Sequence, residues 1–426
     1  MRNLARIIAN TIMTTEAKRV PIPKNGVDYR GKIVLAPMVR SGELPSRILA
    51  LHYGADLVWV SLKGPETVDR SLIGTTRRVN HHLQTVDFTR LPSNGSKIPR
   101  VDQKESIIFR LHPEKESKRL IFQIGTSDPV RAVEAARIVA RDVAGIDVNA
   151  GCPKPFSTSG GMGAALLQTP EKLCAILRAL VKDITAEFEI GISVKIRLLD
   201  TVESTLSLVN DLCETGITGL TVHCRTTPMR PRERAIRDQL KMITALCREK
   251  GVACIMNGDI QNRQEAEKLI AEYGADGAMI ASAAEANSSC FRSDLEGGLA
   301  PWNEVVRQYL EICLQFENRF GNTKYLLNHL IPGKQSVYRE MTASKCYQQV
   351  CSYLGLTDFE VRSKQVDESL GINMEERVDG KRQRKQNKSA IAAGGNQGIK
   401  QSLEAKGKRN LSERGAPNPT APVLKV

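Results

Sequence analysis

Short, almost continuously apolar segments recur along the first 300 residues, and stretches with helical spacing of apolar positions lie between them. Segments of this kind, rich in Val, Ile and Leu, are typical of strands that are buried on both faces of a parallel sheet. The pattern predicts eight such strands: KIVLAP (32–37), ADLVWV (55–60), RLIFQI (119–124), GIDVNA (145–150), ISVKIRL (192–198), GLTVHC (219–224), ACIMNG (253–258) and GAMIAS (277–282).

The helical stretches carry start and stop signals that agree with this alternation. Ser127 and Thr169 are expected N-caps, each with a proline at or near the first helical position, and Gly274 is an expected helix end. Eight strands alternating with helices over about 260 residues are typical of a (β/α)8 barrel, or TIM barrel. A doubly wound open sheet is the alternative, but no GxGxxG motif follows the first strand. We therefore expect an α/β fold, with a TIM barrel over residues 30–299.

One connection in the predicted barrel is much longer than the others. Residues 61–118, between the second and third strands, contain polar sequence with Ser, Lys and Pro. The run SIIFRLHPEKESKRLIFQI (106–124) ends in the third strand, and we expect a hairpin whose second arm is that strand. Insertions of this size are common in TIM barrels.

The pattern changes after the barrel. Residues 300–370 contain only helical periodicity, which predicts a small all-helical domain. Residues 371–426 are expected to be a linker and a disordered basic tail, because residues 381–426 contain no aromatic residue and carry +9 of the net charge of +14. Such a tail binds polyanions through counterion release, and a solubilising or nuclear-import segment is the alternative.

Composition narrows the class of protein. Hydrophobic residues make up 41% and charged residues 25%, and no run of about 18 apolar residues indicates a membrane span. The ten cysteines are irregularly spaced without a CxxC motif, which favours reduced thiols over a disulfide framework or a metal cluster. Residues 1–29 are an expected N-terminal extension; its first 15 residues contain Arg2 and Arg6 but no acid, so a mitochondrial presequence is an alternative. We expect a monomer in the cytoplasm, the nucleus or both, with mitochondrial import left open.

Polar side chains lie at the predicted carboxyl ends of five strands, where TIM barrels have their active sites. The strand ends carry Gln123, Asn149, Lys195 with Arg197, His223 with Arg225, and Asn257, so that a Gln, an Asn, a Lys, a His and an Arg are expected to converge on one mouth. Taken singly, a lysine at a strand end is often solvated and a histidine is often a satisfied core residue. Their joint placement favours a binding site for a flat, hydrogen-bonding, anionic ligand, and the small residues after the last two strands suit a phosphate.

Several of these segments together resemble the tRNA-dihydrouridine synthase family. They are APMVRSGELPSR, FQIGTSDP, DVNAGCPK, GGMGAALL, SVKIRL, TVHCRT and NGDI. The combination of GCPK with GGMGAALL is highly specific, whereas APM and NGD alone are weak. The form DVNAGCPKPFSTSGGMGAALL (147–167) is similar to the eukaryotic class that acts on D-loop uridine 20.

The resemblance implies an FMN enzyme that uses NADPH, or NADH, to reduce the C5–C6 double bond of a tRNA uridine. It implies a set of cofactor contacts around the flavin ring, ribityl chain and phosphate: Pro37, Met38, Val39, Gln123, Asn149, Lys195, His223, Asn257, Gly258, Asp259, Ala281 and Ser282. Two features depart from the family pattern. Ser282 stands where relatives commonly carry Arg beside the phosphate, and VSLKG (60–64) looks like an insertion after the second strand.

Cys152 is the candidate catalytic residue. In the reaction that the resemblance implies, uracil C6 accepts a hydride from FMN N5, and C5 then needs a proton. Ordinary thiols titrate above neutral pH, so a thiol can serve as that acid. Pro153 favours extended backbone at Cys152, and the glycines at 160, 161 and 163 permit a mobile loop.

A uridine must leave the folded tRNA to reach this site, so we expect phosphate contacts to supply affinity. The candidates are Arg225, Arg230, Arg232, Lys324 and Arg339, together with the tail, although a solvated basic face explains any one of them. Two other functions remain open: a dihydroorotate-dehydrogenase-like FMN oxidoreductase, and a non-catalytic barrel that acts as an RNA-binding protein or tRNA chaperone.

Overall fold

The computed structural model of the protein describes residues 19–61, 71–91 and 105–372. Eight parallel strands at its centre are β1 (Lys32–Leu35), β2 (Leu57–Ser61), β6 (Leu120–Ile124), β7 (Gly145–Ala150), β8 (Gly191–Leu198), β9 (Gly219–Thr226), β10 (Ala253–Asn257) and β11 (Gly277–Ile280). They form a closed barrel in the order β1-β11-β10-β9-β8-β7-β6-β2. The predicted TIM barrel and each of its eight strands are therefore confirmed.

Helices follow most of the barrel strands. They are α1 (Leu44–His52), α2 (Pro129–Val139), α3 (Pro155–Thr158), α4 (Pro170–Leu180), α5 (Ala186–Phe188), α6 (Val202–Cys213), α7 (Leu240–Lys250), α8 (Arg263–Tyr273) and α9 (Ser282–Ala286). Thr169 is the N-cap residue of α4 and Gly274 ends α8 in the left-handed conformation, as expected. The N-cap of α2 is Asp128 rather than Ser127, because the Asp128 carboxylate accepts the Arg131 backbone N–H.

The insertion between β2 and β6 differs from its prediction. It contains an antiparallel sheet of β3 (Thr76–Asn80), β4 (Thr85–Arg90) and β5 (Ser106–Leu111). The expected hairpin between β5 and β6 is wrong, since β5 pairs with β4 and β6 pairs in parallel with β2 and β7. Apolar periodicity identified both strands but could not identify their partners, because pairing is a tertiary property.

The region after the barrel is helical, as predicted. Its helices are α10 (Trp302–Gln315), α11 (Phe320–Leu330), α12 (Tyr338–Ala343), α13 (Tyr347–Tyr353) and α14 (Glu360–Ser369). The described residues up to Val366 form one compact unit, and those from Asp367 onward belong to a second. The predicted N-terminal extension as far as residue 18 and the basic tail from residue 373 lie outside the described residues. No helix in the described part of the chain is long and apolar enough to span a bilayer.

Tyr29 fills the amino-terminal end of the barrel. Its side chain is fully buried and its ring centroid lies 5.8 Å from that of Trp59. Space for this ring exists because Gly145 and Gly219 begin β7 and β9. A Cβ at Gly145 would lie 3.1 Å from the Tyr29 hydroxyl, and one at Gly219 would lie 2.5 Å from Tyr29 Cδ2. Small residues at the strand starts therefore let one aromatic ring close the barrel floor.

We expect Gly219→Ala to lower the free energy of unfolding by about 1–3 kcal/mol, because the new methyl group would overlap a buried ring. Gly321→Ala is the matched control, since a Cβ at Gly321 meets no atom within 4 Å. Alanine favours a helix such as α11, so the control should be neutral or stabilising by up to about 1 kcal/mol. Urea unfolding of both variants measures the difference, and equal effects would contradict this account of the barrel floor.

Candidate active site

The carboxyl ends of the barrel strands form a polar mouth. Gln123, Asn149, Lys195, His223 and Asn257 come from the five consecutive barrel strands β6, β7, β8, β9 and β10. Asn149 is in register with Lys195, and His223 is in register with Asn257. The closed parallel sheet thus brings together five of the side chains that the sequence placed at strand ends.

Below the mouth lies a buried carboxylate that the sequence analysis missed. Asp147 on β7 is 0% exposed and accepts hydrogen bonds from Ser193 Oγ and Gln123 Nε2, both at 2.7 Å. Burial raises its pKa to about 6, against the stabilising effects of Gln123, Ser193 and Lys195. The available signal was an acidic residue within a nearly apolar strand, two positions before Asn149 and therefore on the same face.

Lys195 lies above Asp147 with an incompletely satisfied charge. Burial, reinforced by Arg197, lowers the pKa of its ammonium group to about 8. Among the described residues no side chain or backbone group hydrogen-bonds to its Nζ. A half-buried cation without such a partner favours an electron-rich ligand in the mouth.

His223 is held as a neutral imidazole. Burial, together with Lys195, Arg197 and Arg225, lowers its pKa to about 2. Its Nε2 lies 3.2 Å from Arg225 Nη1. Because a guanidinium group can only donate hydrogen bonds, Nε2 is the acceptor and the proton is on Nδ1. The Nδ1–H group of His223 can therefore donate a hydrogen bond to a ligand, but Nδ1 cannot accept one.

Arg225, predicted to contact RNA, is buried inside the protein with 4% exposure. Besides His223 it donates to the backbone oxygens of Glu233 (2.7 Å) and Pro231 (3.1 Å) and to the Asp259 carboxylate. This interior position removes it from the surface that an RNA backbone could reach. Sequence position after a strand end did not reveal this, since burial depends on the loop that folds over it.

The residues after β10 and β11 border the same mouth. The Asn257 side chain donates to Met279 O at 2.8 Å, which links the two strands. The Asp259 carboxylate is committed to Arg225 and to the Ala235 backbone N–H. Ala281 is half-buried, while Ser282 is exposed at the start of α9.

Position 258, at this rim, is one that only glycine can occupy without strain. It has a φ of 128°, and a Cβ there would lie 3.1 Å from Ala235 Cβ. After β1, Pro37 and Met38 are half-buried, and Met38 packs against the barrel core. Val39 is 43% exposed. The flavin contacts that the resemblance implies after β1, β10 and β11 therefore all follow the carboxyl end of a barrel strand.

Cys152 lies at the end of β7 in a loop held from two sides. Asn149 Oδ1 accepts the backbone N–H groups of Gly151 (3.1 Å) and Cys152 (3.0 Å). Arg197 Nε donates to Gly151 O at 2.8 Å, and the Ala164 N–H donates to Cys152 O at 2.9 Å. Cys152 is half-buried, whereas the other nine cysteines are buried, and none of the ten, all of which lie in the described part of the chain, forms a disulfide bond. The one accessible thiol is thus fixed at the polar mouth.

The remaining basic candidates differ in exposure. Arg230, Arg232 and Arg339 are exposed, but Lys324 is half-buried and donates to Ser344 O at 2.8 Å. Burial and Lys345 lower the pKa of Lys324. The sequence analysis missed Arg40, an exposed residue after β1 whose guanidinium carbon lies 5.3 Å from the Tyr325 ring centroid.

We expect Gly163→Ala to displace the Cys152 loop. Gly163 has a φ of 57°, and a Cβ there would lie 2.6 Å from Cys152 O. Gly161→Ala is the matched control, because Gly161 has a φ of 73° but its Cβ would meet nothing closer than 3.5 Å. In both variants the free energy of unfolding should fall by about 1 kcal/mol, because alanine is strained at a positive φ. Only Gly163→Ala should also change the rate at which iodoacetamide alkylates Cys152. Equal alkylation rates in the two variants would contradict this packing.

Comparison with known proteins gives a family match over most of the chain. The family model "Dihydrouridine synthase (Dus)" matches residues 34–353. The chain is 46% identical over 348 residues to the tRNA-dihydrouridine(20) synthase (NAD(P)+) of Schizosaccharomyces pombe, covering 80% of this chain and 68% of that protein. It is also 46% identical over 330 residues to the enzyme of that name from Saccharomyces cerevisiae, covering 76% and 83%.

One more distant relative and one solved structure are also similar to this chain. A human tRNA-dihydrouridine(20a/20b) synthase-like protein is 29% identical, covering 75% of this chain and 86% of that protein. A solved structure of DHODH with ferulenol from Eimeria tenella covers 74% of this chain and 92% of that chain at 15% identity, with a TM-score of 0.39, a likeness too distant to bear on function. The extent of the family match and the identity to the two yeast proteins lead to one conclusion: the chain belongs to the dihydrouridine synthase family.

Proposed function

We propose that this protein is an NAD(P)H-dependent flavin oxidoreductase that reduces the C5–C6 double bond of a uridine in tRNA to give 5,6-dihydrouridine. The observation that carries the proposal is Cys152, a single accessible thiol fixed beside the donor groups of the barrel mouth. The two yeast relatives, both tRNA-dihydrouridine(20) synthases, support D-loop position 20 as the substrate. The 46% identity to these relatives favours this function over both alternatives.

The donor set of the mouth fits FMN. Lys195 presents an ammonium group without a hydrogen-bond partner among the described residues, and His223 presents Nδ1–H. Both suit the electron-rich edge of a flavin ring or its polar chain, and Gly258 keeps the backbone after β10 open to a close approach. The residues after β10 and β11 suit the phosphate, as in other barrels of this type. FMN supplies hydride transfer when it is bound, with NADPH or NADH as the reductant.

The protein's own residues then bind, orient and protonate the substrate. Cys152 Sγ carries the proton that uracil C5 requires, and Asn149 and Arg197 fix the backbone that aims it. Lys195 and Arg197 keep the region around the thiol positive, which stabilises negative charge that develops on the uracil during reduction. His223 can donate a hydrogen bond from Nδ1 to the cofactor. Its lowered pKa keeps the imidazole neutral near neutral pH.

Replacement Cys152→Ala tests this assignment. We expect dihydrouridine formation to fall by about 10²–10⁴-fold, because general acid catalysis is lost, while flavin content and NADPH oxidation stay close to wild type. Cys174→Ala, at a buried thiol in α4, is the control and should retain activity. Mass spectrometry of dihydrouridine in single-turnover reactions gives the rate. Full activity in Cys152→Ala would exclude Cys152 as the acid.

The tRNA must deliver an extruded uridine to the mouth, with affinity from phosphate contacts around it. Arg230 and Arg232 are exposed in the segment after β9 and suit this role. Exposed Arg339 and half-buried Lys324 are further candidates for phosphate contacts. The basic tail beyond residue 380, which lies outside the described residues, is proposed to bind tRNA as a separate element. Arg225 acts instead on His223 and Asp259 from within the protein.

We expect Arg232→Ala to weaken tRNA binding and to reduce the slope of log K against log salt by about one, as for the loss of one phosphate contact. Arg178→Ala, at an exposed position on α4, is the control and should leave both quantities unchanged. Filter binding over a range of salt concentrations measures them. An unchanged slope in Arg232→Ala would remove Arg232 from the tRNA contacts.

A further inference from the structure

A continuous chain of hydrogen bonds runs from the interior of the barrel to Cys152. Ser193 donates to Asp147, Gln123 donates to Asp147 at 2.7 Å, and Asn149 donates to Gln123 Oε1 at 3.2 Å. Asn149 Oδ1 then accepts the N–H groups of Gly151 and Cys152. Each side chain in this chain of hydrogen bonds comes from β6, β7 or β8.

The two ends of this chain determine its direction. An ionised carboxylate only accepts hydrogen bonds, so Gln123 must turn its NH2 group towards Asp147 and its oxygen towards Asn149. The backbone N–H groups at the other end only donate, so Asn149 must turn its oxygen towards them and its NH2 group towards Gln123. Both requirements agree, and neither amide can flip without placing two donors or two acceptors against each other.

We propose that Asp147 is a positioning residue, whose carboxylate fixes the orientation of the Gln123 and Asn149 amides and thereby holds the backbone that places the Cys152 thiol. The inference rests on the proposed function in one respect, that Cys152 acts on the substrate. Asp147 itself is fully buried, and Gln123 and Asn149 separate it from the Cys152 loop. Its effect on the reaction is therefore exerted through these two amides.

Reversing the hydrogen-bond polarity of the chain provides the test. In Asn149→Asp, two carboxylates compete for the single NH2 group of Gln123, so one side of the chain loses its donor. We expect Cys152 alkylation by iodoacetamide to accelerate by about threefold or more and dihydrouridine formation to fall by about tenfold or more, as for a lost buried hydrogen bond to a charge. Cys152 is the suitable probe because the other nine cysteines are buried.

The double variant Asp147→Asn with Asn149→Asp should restore the chain in the opposite direction. The new amide at position 147 would donate to the Gln123 oxygen, and Gln123 would donate to the new carboxylate at position 149, which would still accept both backbone N–H groups. We expect both rates to return to within about threefold of wild type. Asp147→Asn alone removes the charge that fixes the direction of the chain but leaves an oxygen that can accept from Gln123, so both rates should change by less than in Asn149→Asp.

A second pair of variants tests the same polarity at the middle of the chain. Gln123→Glu places a carboxylate against Asp147, whereas Gln123→Glu with Asp147→Asn restores a donor on that side and keeps the acceptor for Asn149. This pair decides the matter if Asn149→Asp does not fold, as judged by thermal unfolding. Rescue by Asp147→Asn in either pair supports the proposal, and failure of rescue in the pairs that fold overturns it.

The alkylation rate separates this inference from the proposed function. Alkylation reports the placement of the thiol without any turnover. If Cys152→Ala remained active, the role of Cys152 as the acid would fail, but rescue of the alkylation rate by the double variant would still establish the positioning role of Asp147. Conversely, Cys152→Ala could be inactive while the double variant fails to restore the alkylation rate. Cys152 would then remain the acid, and Asp147 would lose its proposed positioning role.

Discussion

Desolvation of charged side chains is the constraint on which the mouth of this barrel depends. Each ionisable group drawn below the rim needs partners, because water no longer reaches it. Asp147 has two strong donors, and Arg225 has four acceptors that include His223 and Asp259. Lys195 is the exception, since no hydrogen-bond acceptor for it occurs among the described residues. Asp147 and Arg225, whose hydrogen bonds are satisfied within the protein, stabilise the structure of the mouth. Lys195 is the charged group that is available to bind a ligand.

The same constraint couples the mouth to the helical region. Arg47 on α1 is 1% exposed and pairs with Glu116 at 2.5 Å, while its Nη2 also donates to Arg110 O. Arg110 in turn donates to Phe316 O, just after α10. Loss of one partner of such a buried ion pair strongly destabilises a protein. These contacts therefore hold the insertion, α1 and α10 together. The loop after β1 lies within this assembly, where Glu43 also accepts from Asn322 of α11.

Most of the architecture could be predicted from the sequence because strands buried on both faces leave a local signal. All eight barrel strands follow from short apolar runs, and helices α10, α11 and α13 follow from helical periodicity. Strand pairing left no such signal: the sequence predicted β5 as a strand, but it did not identify β4 as its partner. The short helix α12 and the helix α14 were likewise missed, since their apolar periodicity is weak.

For the candidate site, the sequence by itself determined which residue types stand at the strand ends, because a parallel barrel collects those ends at one rim. That was sufficient to identify Gln123, Asn149, Lys195, His223 and Cys152. Only the tertiary structure decided that Arg225 is buried and that Asp147 underlies the mouth. The physical reason is that burial and hydrogen-bond direction depend on groups from different strands and loops. The backbone at Gly151 and Cys152 is held by contacts from β7, β8 and the segment after α3, and no local pattern in the sequence records that combination.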